Sequence, residues 1–90
     1  MSKKTTINKN YCIKALESDD KDYLISLCHD IKQQIENNNK DIASDIRTKQ
    51  EFEDEPFFIE RLDHDIEVKT NWNKSLEYHL QLAFKKIATL

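Results

Sequence analysis

Glycine is absent from these ninety residues, and proline occurs once, at Pro56. β-hairpins rely on Asn-Gly, Asp-Gly and related glycine turns, and sandwiches and barrels need many of them. A β architecture is therefore excluded on turn chemistry alone. The missing glycine also removes every phosphate-cradling loop of the Gly-rich kind. Arginine is scarce, at Arg47 and Arg61 only, against twelve lysines. Scarce arginine argues against an Arg-rich recognition helix for nucleic acid. Plentiful Lys, Ile and Asn are residues of A/T-rich codons, which points to a low-GC bacterial, phage or protist source. No apolar run approaches a membrane span, and no apolar core follows the first residues as in a secretory leader. The expectation is a cytoplasmic protein with Cys12 and Cys28 reduced and buried.

What remains is charge and amphipathic pattern. Charged residues make up 34% and apolar ones 38%, as in helices with one wet face. Ten isoleucines and eight aromatics separate the chain from disordered ones. We expect an all-α fold in one domain, residues 1–90, with 1–7 flexible. Tyr11, Cys12, Ala15 and Leu16 mark a short helix over about 8–17, capped by Asn8 or Asn10. Ser18-Asp19-Asp20 reads as a stop and an N-cap for the next helix. Leu24, Cys28, Ile31, Ile35, Ile42 and Ile46 then form a stripe over a first long arm, about 20–52. Asp54 and Pro56 open a second arm, about 56–88, with Phe58, Leu62, Ile66, Trp72, Leu76, Leu80, Phe84 and Ile87 as its stripe.

Each arm has a polar interruption. Asn37-Asn38-Asn39 break the first stripe near 38–40, and Lys69-Thr70-Asn71 the second near 69–71. The heptad phase survives the asparagines, so Asn38 reads as a polar residue inside a helix seam, where such a residue sets register. If so, Asn38→Leu should raise stability. In the resulting antiparallel hairpin, Lys69 is expected opposite Asp41 and Trp72 opposite Asn38. The alternative is a compact bundle of four or five short helices, broken at both interruptions.

Charge is uneven. Residues 51–67 carry eight acids against Arg61, net −7, while residues 1–18 and 68–90 are each net +3. Glu60, Asp63 and Glu67 share one helical face, and Phe57 and Ile59 lie among the acids. A solvated helix start explains this pattern slightly better than recognition does, since acids suit the positive end of the macrodipole. As a recognition surface, Glu53, Asp54, Glu55, Phe57, Glu60, Asp63 and Glu67 suit a basic protein partner, such as a nuclease or another nucleic-acid-binding protein, and would repel nucleic acid itself. No direct nucleic acid, no membrane, no cofactor and no metal is expected. The metal candidates Glu60 and His64 stand alone, and no spacing of Cys12, Cys28, His29, His64 and His79 singles out a catalytic set. We expect no enzyme. The leading reading is a small binding protein of the immunity, antitoxin or anti-defence inhibitor kind. The rival is a self-assembling structural, regulatory or secretion-chaperone-like protein that forms a homodimer through its apolar stripe.

Overall fold

In a computed structural model, residues 6–90 are described. Three helices follow one another: α1 (Lys9–Ala15), α2 (Lys21–Glu51) and α3 (Pro56–Thr89). The helices begin where the capping chemistry places them. Asn8 accepts the amide of Tyr11 (2.9 Å) to start α1. Asp20 accepts the amides of Asp22 (3.0 Å) and Tyr23 (3.3 Å) to start α2. Pro56 occupies the first turn of α3, where it forfeits no bond. The cap residue there is Glu55, not Asp54, and its side chain makes no capping bond. The helical start of α3 thus rests on the proline and on the tight turn Glu55 N–H to Phe52 C=O (3.0 Å).

Neither interruption breaks a helix. α2 runs through Asn37–Asn39 and α3 through Thr70 and Asn71, so the molecule is a hairpin of two long arms with a short third helix. Thr70, in the second interruption, donates its hydroxyl to the Ile66 carbonyl within α3 (2.7 Å). At 1.5 Å per residue, arms of 31 and 34 residues match a longest dimension of 54 Å.

The apolar core gathers at the end away from the turn. Leu24, Leu27 and Ile31 of α2 and Leu76 of α3 pack with Ile7, Cys12 and Ala15. Of the segment 1–7 expected to be flexible, Thr6 is exposed and Ile7 is buried, and residues 1–5 lie outside the described residues. Trp72 fastens this entry by donating its indole N–H to the Ile7 carbonyl (2.8 Å). Lys86 closes the other end of α1 by bonding the Leu16 carbonyl and pairing with Asp19 (3.4 Å).

Because α1 covers one end, and there only one side, the two stripes are unequally buried. Ile46, Phe58 and Phe84, expected in the seam, are each more than 40% exposed. Conversely Leu27, off the stripe by spacing, is buried beneath α1.

Candidate functional site

The seam is fixed by amides. Asn38 is 1% exposed, and its Oδ1 accepts from Gln34 Nε2 (2.9 Å). Its Nδ2 donates to Asn73 Oδ1 (2.9 Å), and Asn73 Nδ2 donates to Asn39 Oδ1 (2.9 Å). The chain of amides leaves no buried side-chain donor or acceptor unpaired among the described residues. Asn38 is thus the polar seam residue its heptad phase announces, but its partner is Asn73, not Trp72. Lys69 pairs with Asp45 (3.2 Å), not Asp41. The reason is periodicity: Asp45 lies seven residues from Asn38 and returns to the seam, whereas Asp41 lies on the flank, lining a groove beside Trp72.

Toward the turn, Lys49 and Asp63 make a second cross-arm ion pair (2.5 Å). Asp63 thereby faces the other arm, and with both side chains solvent-exposed the pair contributes little to stability. The other residues of the acidic set remain open. Glu53, Asp54 and Glu55 form the turn, and Glu60 and Glu67 stand exposed on α3 without an ion-pair partner among the described residues. Phe57 is 89% exposed. One contributor to this tip carried no signal in the stripe pattern. Phe52, at the C-terminal cap of α2, meets Phe58 edge to face, with ring centroids 5.1 Å apart. A residue placed by a helix end falls outside helical spacing, so periodicity does not find it.

The groups that nucleophilic or metal chemistry would use are not gathered. Cys12 and Cys28 are free and buried, and burial pushes both thiols above the ordinary range, although Lys32 pulls Cys28 back in part. Such thiols are poor nucleophiles at neutral pH. His79 is buried and donates Nδ1–H to the Ser75 carbonyl (2.7 Å), a bond within its own helix. Among the described residues, no three of His, Cys, Asp and Glu come together as a metal site. No helix there is long and apolar enough to cross a membrane.

A concavity of about 730 Å³ forms an open groove between the N-terminal segment and the long arms. Tyr11 and Trp72 line it with Asp30, Gln33, Asn37 and Asp41. Burial and the neighbouring Tyr23 push the Tyr11 hydroxyl up, so it stays a neutral donor. The chain matches no protein-family model, no curated protein and no solved structure.

Proposed function

We propose that the protein is a non-enzymatic binding module whose acidic hairpin tip docks a basic protein, in the manner of an inhibitor that covers its partner's working surface. The observation that carries this reading is Phe57, almost fully exposed inside a segment of net −7. It packs in no core, and an exposed aromatic within an acidic rim is the arrangement of an interface anchor. Glu53, Asp54, Glu55, Glu60 and Glu67 supply the rim, with Asp63 held back by Lys49. Such a field speeds encounter with a basic surface, as on a nuclease or another nucleic-acid-binding protein, and disfavours nucleic acid itself. An immunity, antitoxin or anti-defence role would use this surface.

The test is affinity capture from the native source with the unaltered chain and with Glu53→Lys combined with Glu60→Lys. Neither residue joins an ion pair between the arms, so helicity should persist by circular dichroism. A basic protein retained by the first and lost from the second is the expected result. A captured set that is the same for both chains would refute the reading.

A further inference from the structure

One wall of the groove beside Trp72 is a single stripe of α2. Asp30, Gln33, Gln34, Asn37 and Asp41 follow at helical steps and share one face. Tyr11 and Trp72 line the rest with the N-terminal segment. The bonds already made inside the groove decide which polar atoms are left for a ligand. Gln33 gives its Nε2 to Asn37 Oδ1 (3.1 Å), and Gln34 gives its Nε2 to Asn38 Oδ1 (2.9 Å). Their two Oε1 atoms are left as acceptors. Asp30 and Asp41 are exposed, and neither joins an ion pair among the described residues. Against these acceptors the stripe keeps one amide donor, Asn37 Nδ2. The groove has no lysine, arginine or histidine among its described lining residues. Trp72 has given its indole N–H to the Ile7 carbonyl, so its ring and not its donor meets a ligand. Tyr11 and Trp72 each pack partly on the core and leave the remainder to the groove.

We infer that this groove binds a linear aliphatic polyamine, a hydrocarbon chain with an ammonium group at each end. An ammonium group donates and never accepts, which suits a wall of acceptors that carries two carboxylates. Asp30 and Asp41 are eleven residues apart on α2, about 16 Å along the helix. No single ion touches both, whereas an extended chain with a cation at each end does. The methylenes between the cations lie against Tyr11 and Trp72, whose ring faces also attract ammonium. The volume, about 730 Å³, falls within the range of small-molecule sites, about 300–1,000 Å³.

Other occupants suit the groove less. A sugar is neutral and leaves both carboxylates without a counter-charge. A basic peptide brings a carbonyl acceptor at every residue, and the stripe has one amide donor to offer. A metal ion finds no group of three ligands among the described residues. The walls come from the N-terminal segment and α1 on one hand and from the long arms on the other, so an amine that touches both fastens α1 to the hairpin. This inference is independent of the proposed function, since Asp30, Asp41 and Trp72 lie outside the acidic tip.

Trp72 is the only tryptophan of the chain, so its fluorescence reports on the groove. The test is titration with spermidine, followed by that fluorescence and by amide NMR. One amine should bind per chain, with shifts centred on Asp30, Asn37, Asp41 and the Trp72 indole, a map that needs no variant. Hydrogen exchange over Asn8–Ala15 should slow as the amine binds. Asp30→Asn with Asp41→Asn should weaken binding about ten-fold or more, with helicity kept because both side chains are exposed. Glu53→Gln with Glu60→Gln, at the distant tip, should leave affinity within about two-fold. Magnesium chloride at the same ionic strength should produce none of these shifts. The same shifts with magnesium, or binding lost with the tip variant and kept with the groove variant, would reveal a diffuse counterion effect and overturn the site. Absence of binding up to about 10 mM spermidine overturns it as well. Affinity raised about ten-fold by Lys3→Ala with Lys4→Ala would mean that the chain's own lysines compete for the groove, and would overturn the amine as its occupant.

Discussion

The amides at the seam make a sharp prediction about Asn38. Read alone, a buried polar residue in an apolar stripe should be improved by leucine, since burying a leucine side chain contributes about 1.5–3 kcal/mol. The structure reverses the sign for the single change. Asn38→Leu strips the donor from Asn73 Oδ1 and the acceptor from Gln34 Nε2, and Asn73 is itself 7% exposed. A buried acceptor left unpaired costs about 1–3 kcal/mol. The bulkier, tetrahedral side chain in a closed seam costs about 1–3 kcal/mol more. The net expectation is a loss of about 1–2 kcal/mol, set by the balance of these terms. Asn73→Leu should cost a similar amount for the same reason, as it orphans Asn38 Nδ2. The double change leaves neither amide behind. It should melt at or above the parent, so that the two substitutions couple favourably by about 2–4 kcal/mol. Urea and thermal unfolding followed by circular dichroism measure all four corners, at about 4–8 °C per kcal/mol for a domain of this size. Strictly additive losses, or a single Asn38→Leu more stable than the parent, would refute the reasoning. The double variant should also lose uniqueness of register, seen as extra amide NMR peaks, because nothing polar then penalises a slip of one arm past the other.

Three further outcomes follow from the cited contacts. Asp20→Ala removes the cap of α2 and should cost about 1 kcal/mol, read by urea unfolding, while Asp19→Ala should leave stability within about 0.5 kcal/mol. Trp72→Phe deletes the bond to the Ile7 carbonyl, and hydrogen exchange should quicken across Asn8–Ala15 first, with a loss of about 0.5–1.5 kcal/mol. The buried thiols have pKa values raised by desolvation. The thiolate is therefore scarcer than in a free cysteine at every pH below the raised value. Reaction with a thiol reagent should be slow at neutral pH, climb only above the ordinary thiol range, and become rapid in denaturant. Equal rates in native and denatured protein would contradict the burial.

Much of this molecule is local and was readable as such. The caps at Asn8 and Asp20, the proline at the head of α3, and the persistence of α2 through three asparagines all depend on residues within a turn or two of each other. The acidity of the turn and the exposure of its glutamates follow from composition in the same way. Tertiary structure decided the rest. A helical stripe states which residues are able to be buried, but burial needs a cover, and α1 covers one end only, and only one side of it. Hence Leu27 is buried while Ile46 and Phe84 are exposed, although spacing ranked them the other way. Spacing likewise cannot align two separate helices. That alignment came from Asn38 meeting Asn73 across 35 residues of chain, where the cost of an unpaired buried amide admits one register and moves the partner of Lys69 from Asp41 to Asp45.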